Sequence, residues 1–183
     1  MSPRLAALLR AVNVGGRPLQ MAALRSCLEQ AGYRDVTTIL ASGNVLLRSP
    51  NHPPEQLEQQ LSALIEDRFG LRSAVVVRRH DQLATALATH PFADAESQPS
   101  RLHIAFFQRA PAPERIARLD PDPSPPDRVS VIGSEAYLHY PAGSARTKLT
   151  LGWLERQLDA VGTVRNLNTV TRLVALTAPE AGS

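Results

Sequence analysis

The 183-residue sequence has one cysteine, one lysine and only 4% aromatic residues. A single cysteine, Cys27, rules out an intrachain disulfide framework and a cysteine-rich zinc site. No stretch approaches the roughly 20 consecutive apolar residues of a membrane-spanning helix, so no membrane partner is expected. The opening stretch MSPRLAALLRAVNVGG has a short apolar run broken by Arg10 and no small-residue cleavage site. It reads as a first strand rather than a signal peptide, and with the lone cysteine this points to the cytoplasm. No run of Lys or Arg occurs. The net charge is +3, and the pI of 9.6 is inflated by arginine, which makes up all but one of the 20 basic residues. Nucleic-acid binding is permitted by that charge but not signalled by it. The histidines His52, His80, His90, His103 and His139 share no metal-ligand spacing, so no metal is expected. Neither G-x-G-x-x-G nor the glycine-lysine signature of a P-loop is present, so no cofactor is read.

The sequence does contain enough apolar residues for a real core, 43%, arranged in a readable pattern. Residues 4–10 predict a strand and 20–31 a helix, with Met21, Leu24, Leu28 and Ala31 at helical spacing. Two β-prone runs flank Ser42-Gly43-Asn44, a hairpin signal. Pro53 and Pro54 open a helix with Leu57, Leu61, Leu64 and Ile65 on one face; Gly70 stops it. Residues 72–79 predict a strand. Strand, helix, two strands, helix, strand is the split βαβ, ferredoxin-like order, and it is repeated. After a linking helix ending near Pro91 come a strand at 101–110, a short helix at 112–120, a hairpin across Gly133-Ser134, a helix at 144–160, a short strand and a closing helix. The expected class is α+β, two ferredoxin-like βαββαβ halves packed into one compact unit. Residues 1–80 form the first half. Residues 81–183 hold the linking helix, the second half and the C-terminal helix.

Candidate binding residues fall at the ends of these elements. The pair Gly15-Gly16 lies in a strand-to-helix turn between Arg10 and Arg17, where backbone N–H groups can hold an anion; a turn needing positive φ is the plainer account. Ser42 and Asn44 suit a turn and also offer hydrogen bonds at a hairpin tip. In YPAGSARTKLT, Ser144 or Thr147 can cap the next helix. Arg146 and Lys148 then fall in its first turns, against the helix dipole. Lys148, the one lysine in so arginine-rich a chain, points to a need for an ammonium, with chance retention as the alternative. Arg165 and Asn166 have no evident structural duty, and Asn168 suits an N-cap. His90, in HPF, offers a base without a nucleophile or carboxylate at a telling spacing.

Taken in order, LLRAVNVGG, SGN, HPF, YPAGSARTKLT and VRNLNTVTRL resemble a bacterial family called domain of unknown function 1697. Ala11 stands where the family usually has Gly, and Leu167 where it often has an aromatic residue. The resemblance implies a compact α+β protein of ferredoxin-like parts and no established activity. It marks Arg10, Asn13, Gly15, Gly16, Ser42, Gly43, Asn44, Lys148, Arg165 and Asn166 as motif positions.

The leading expectation is therefore a small anionic ligand, a nucleotide or phosphorylated metabolite, held by Arg10, Asn13, Gly15, Gly16, Ser42, Asn44, Lys148, Arg165 and Asn166. One alternative is an enzyme using Lys148 or His90 as its acid–base group. Another is a nucleic-acid or protein-interaction module, although the aromatic strands of RNA-binding sheets are missing. The catalytic residues and the oligomeric state cannot be read from the sequence.

Overall fold

The computed structural model describes residues 2–10, 19–39, 43–49, 52–93, 97–120 and 122–179. In chain order these form β1 (Arg4–Leu9), α1 (Met21–Gln30), β2 (Arg34–Ile39), β3 (Asn44–Arg48), α2 (Pro54–Phe69), β4 (Val75–Arg78), α3 (His80–Ala88), β5 (Leu102–Phe107), α4 (Pro113–Ala117), β6 (Arg128–Ile132), β7 (Glu135–His139), α5 (Leu151–Leu158), β8 (Gly162–Asn166) and α6 (Leu167–Thr177). Two four-stranded antiparallel sheets result, in the orders β2-β3-β1-β4 and β6-β7-β5-β8. Each has the strand order of a ferredoxin-like unit, so the fold is α+β with two like halves.

The chain divides into two compact units, Met1–Leu83 with Leu173–Ser183, and Ala84–Arg172. The division falls inside α3 and inside α6. The sequence reading instead ends the first half at residue 80 and keeps all of the last helix in the second.

In the first unit, α1 and α2 bury Leu24, Leu28, Leu57, Leu61 and Ile65 against Leu5, Ala7, Leu9, Val45, Leu47, Val75 and Val77. Alternate residues of a strand point to opposite faces, so Arg4, Ala6, Leu8, Asn44, Leu46, Arg48, Val76 and Arg78 occupy the other face. In the second unit, Leu149, Leu154 and Leu158 pack on Ala105, Phe107, Ala136, Leu138 and Tyr140. An edge strand exposes N–H groups, and each unit covers one such strand with a glutamate. The Val77 N–H donates to Glu58 Oε1 at 2.8 Å, and the Gly162 N–H donates to Glu155 Oε1 at 3.1 Å. Gly70 closes α2 in the left-handed conformation, φ 65°.

Two local expectations are corrected. The helix expected over 144–160 is a single tight turn at Ser144–Arg146 followed by α5, which begins at Leu151. Its N-cap is Thr150, whose Oγ1 accepts from the Trp153 N–H at 3.2 Å, and not Ser144 or Thr147. Tertiary bonds hold the intervening residues out of the helix: Thr147 donates to Asp127 Oδ2 at 2.5 Å, and the Lys148 N–H donates to Ser124 Oγ at 3.0 Å. Arg146 and Lys148 therefore do not oppose a helix dipole. At α6, the capping side chain is Asn166 rather than Asn168: Asn166 Oδ1 accepts from the Asn168 N–H at 2.9 Å.

Candidate functional site

A cleft of about 440 Å³ opens in the first unit, lined by Pro3, Arg4, Arg48, Arg79, His80, Asp81, Thr177, Ala178 and Pro179. The strand register explains the concentration of charge. Arg4 and Arg48 are directly opposed across the β1–β3 pair, and Arg34 is opposed to Arg48 across β2–β3. Directly opposed side chains have Cβ atoms about 4.5–5.5 Å apart, and like charges there are destabilising.

Only part of this charge is answered. Arg48 donates from Nε to Asp35 Oδ2 at 2.6 Å and from Nη1 to the Ser2 carbonyl at 2.6 Å. Arg79 Nε lies 3.4 Å from Asp81 Oδ1. Arg4 has no carboxylate partner among the described residues. Its Nη1 donates to the Leu176 carbonyl at 3.3 Å and its Nη2 to Thr37 Oγ1 at 3.0 Å, while its Nε is buried with no partner.

The other wall comes from two helices. Residues 79–81 place the N-terminus of α3 at the cleft, where the helix dipole favours an anion. The first free N–H there is already capped, since Gln82 Oε1 accepts from the Arg79 N–H at 2.9 Å. His80 Nδ1 lies 3.2 Å from the Val174 carbonyl and 3.3 Å from Thr177 Oγ1. A carbonyl only accepts, so the proton of the neutral ring sits on Nδ1 and the lone pair on Nε2. Nε2 has no partner among the described residues.

The residues singled out from the sequence are placed elsewhere. Asn13, Gly15, Gly16 and Ser42 lie outside the described residues. Arg10 and Gly43 adjoin at one end of the first sheet: the Leu9 N–H donates to the Gly43 carbonyl and the Arg10 N–H to the Ala74 carbonyl, both at 2.8 Å. Asn44 is fully buried and donates to the Ile39 carbonyl across the hairpin, a turn-holding duty. Lys148, Arg165 and Asn166 belong to the second unit. Lys148 is exposed. Asn166 Nδ2 donates to the Ser100 carbonyl at 2.8 Å. Arg165 is buried and donates to Thr163 Oγ1 at 2.6 Å and the Val164 carbonyl at 2.8 Å; burial pulls its pKa down to about 10. Arg4, Arg48 and Arg79 escaped the sequence reading because scattered arginines carry no local signal. One clue was available: an Arg opening β1 and an Arg closing β3 meet whenever those strands pair antiparallel.

The second unit holds a cluster of buried titratable rings. His90 Nδ1 accepts from the Phe92 N–H at 3.3 Å and its Nε2 faces the His103 carbonyl at 3.3 Å. Both ring nitrogens are thus used in the neutral form, and burial lowers the His90 pKa. Its ring meets that of Tyr137 edge-on, with centroids 5.1 Å apart. Burial also lowers the pKa of His103. It raises that of Tyr140, aided by the charge of Asp127, and Tyr140 Oη donates to the Leu149 carbonyl at 2.9 Å. Among the described residues, no group of His, Cys, Asp and Glu could hold a metal ion, and no helix is long and apolar enough to cross a membrane.

The family model described as Protein of unknown function (DUF1697) matches residues 2–137. The chain belongs to that family. The stretch matched to DUF1697 includes Pro3, Arg4, Arg48, Arg79, His80 and Asp81 of the cleft. It ends before Lys148, Arg165, Asn166 and Thr177. A solved structure, that of the conserved bacterial protein SP0830 from Streptococcus pneumoniae, is similar over 97% of this chain and 99% of its own, with a TM-score of 0.75 and 18% sequence identity. That likeness extends to the fold alone. No curated protein matches the chain.

Proposed function

We propose that this DUF1697 protein binds a small anionic ligand, a nucleotide or phosphorylated metabolite, in the arginine-lined cleft of its first unit. The observation that carries this reading is the opposed pair Arg4 and Arg48. A like-charge pair lies across two strands, beside Arg79, with a buried Arg4 Nε that no described residue satisfies. An anion bound between the two guanidiniums would relieve the repulsion. The apolar walls, Pro3, Ala178 and Pro179, suit the body of such a ligand. The same chemistry was expected from the sequence, with other residues. The lone cysteine supports a cytoplasmic setting.

Isothermal titration with pyrophosphate and AMP tests the proposal. Saturable binding is expected, weakened about tenfold or more by Arg48→Ala through loss of a charge-assisted hydrogen bond. Arg109→Ala, outside the cleft, is expected to leave it unchanged. Binding that survives Arg48→Ala but is lost in Lys148→Ala or Arg165→Ala would move the site to the motif residues. No binding of any anion would sink the reading altogether.

A further inference from the structure

The cleft contains an acceptor as well as donors, and this says which anion it suits; the inference rests on the anion-binding reading above. A site made only of guanidiniums holds any oxyanion, and holds the one with the most charge best. This cleft differs. Asp81 puts a carboxylate beside Arg79, with Nε and Oδ1 3.4 Å apart. His80 is anchored beside it through Nδ1 on the Val174 carbonyl, 3.2 Å away.

A carboxylate accepts hydrogen bonds and donates none. Sulfate and carboxylate ligands are fully deprotonated near neutral pH, so they have no hydrogen to offer Asp81 and are repelled by it. A phosphate group carries its second proton with a pKa of about 6 when esterified. It can accept from Arg4, Arg48 and Arg79 while donating its own O–H to Asp81. The charged groups lining the cleft from each element are Arg4 of β1, Arg48 of β3, Arg79 ahead of α3, and His80 and Asp81 of α3; α6 and the residues after it contribute only Thr177, Ala178 and Pro179.

We propose that the cleft selects a phosphomonoester, with Asp81 as the acceptor that discriminates against sulfate and Pro3, Ala178 and Pro179 as the walls against the ester's apolar body. Discrimination by unmatched polar groups is the stronger kind, because a wrong ligand leaves them unpaired.

The experiment titrates the full chain at pH 6.0 with inorganic phosphate, inorganic sulfate and phenyl phosphate. Sulfate carries the larger charge at that pH, so charge alone favours it over phosphate. Phosphate binding at least about fivefold tighter than sulfate is expected, a modest value because the Asp81 and Arg79 side chains are 71% and 49% exposed. Phenyl phosphate is expected to bind at least as tightly as inorganic phosphate. In Asp81→Asn the phosphate-to-sulfate ratio should fall towards one, chiefly because sulfate gains. Sulfate binding as tightly as phosphate to the unaltered protein overturns the selectivity while leaving the anion cleft standing. Phenyl phosphate binding more weakly than phosphate overturns the ester. Failure of all three to bind, with Arg48→Ala equally inert, removes the cleft itself.

Discussion

The two halves can be laid over each other residue by residue. In the first, the Leu9 N–H donates to the Gly43 carbonyl and the Arg10 N–H to the Ala74 carbonyl; in the second, the Phe107 N–H donates to the Ser134 carbonyl and the Gln108 N–H to the Val161 carbonyl, all within 2.8–2.9 Å. This correspondence matches Arg78 to Arg165. Both are buried on the last strand of their sheet, and both donate back to the carbonyl of the preceding residue, at 3.0 and 2.8 Å. It also matches the opposed pair Arg4 and Arg48 to the opposed pair Leu102 and His139. What the halves share is scaffold. Where they differ, one presents a cationic cleft and the other a buried apolar and aromatic surface. A fold does not carry a function by itself; here the same fold occurs twice in one chain, and the arginine row occurs once.

The largest effect should come from erasing a difference at the start of the last strand. Val75 in the first half corresponds to Gly162 in the second. Val75 is fully buried in its core, but a Cβ on Gly162 would lie 2.6 Å from the Phe106 carbonyl oxygen and 2.7 Å from Phe107 Cδ1. Backbone and a fully buried ring must both move. Gly162→Ala is expected to cost about 2–3 kcal/mol, as overpacking of a tight core does. Urea unfolding followed by Trp153, the only tryptophan and a residue of the second unit, would report it. An unchanged midpoint would mean that the second half accepts a Cβ there as the first does, and this difference between the halves would vanish.

A second difference depends on pH. The second unit holds His90 buried and His103 half-buried, both with pKa values lowered by burial. The folded state therefore binds fewer protons than the unfolded state, where histidine titrates near 6.5. The stabilisation is complete above about pH 6.5 and is lost as pH falls below it. Trp153 should show a lower urea midpoint at pH 5.5 than at pH 7.5, and replacing both histidines with glutamine should flatten that slope. A slope unaltered by the double replacement would assign it to the carboxylates.

How much of this was legible in the sequence depended on the range of the interaction. Element order was legible because it is written locally. Leucines at helical spacing define α2, Gly70 adopts the left-handed stop it is suited to, and alternating apolar runs mark the strands. The start of α5 was not, because Thr147 and Lys148 are held out of the helix by Asp127 and Ser124, some 20 residues earlier. The cleft was the least legible part. Arg4 and Arg48 become neighbours only through strand register, and in a chain where nearly every cation is arginine neither stands out. Composition instead drew attention to Lys148, which is exposed.

A smaller contrast concerns how the second helix of each half begins. α5 has a side-chain cap, Thr150, whereas α2 starts from Pro53 with no side-chain cap and relies on Pro54 at its first position and Glu55 in its first turn. Thr150→Ala should cost about 1 kcal/mol, read from the Trp153 transition. Pro53→Ser, which supplies α2 with the missing oxygen, should gain less than that. If Thr150→Ala had no effect, the tertiary bonds of residues 147–149 would be sufficient to set the start of α5.

The smallest expected change in stability is the most informative about purpose. Arg4→Leu gives the first half the residue found at the matching place in the second, Leu102. The substitution gives up hydrogen bonds to the Leu176 carbonyl and Thr37, and it removes both a repulsive cross-strand pair and a buried unsatisfied Nε. The net result should be near neutral or a gain of up to about 1 kcal/mol. Titration with inorganic phosphate should show binding lost at the same time. Stability retained while binding disappears would mean that Arg4 is kept at the cleft for a ligand and against the interest of the sheet. A marked destabilisation would instead make Arg4 a fastening between β1 and the end of α6, and the cleft would lose its principal support.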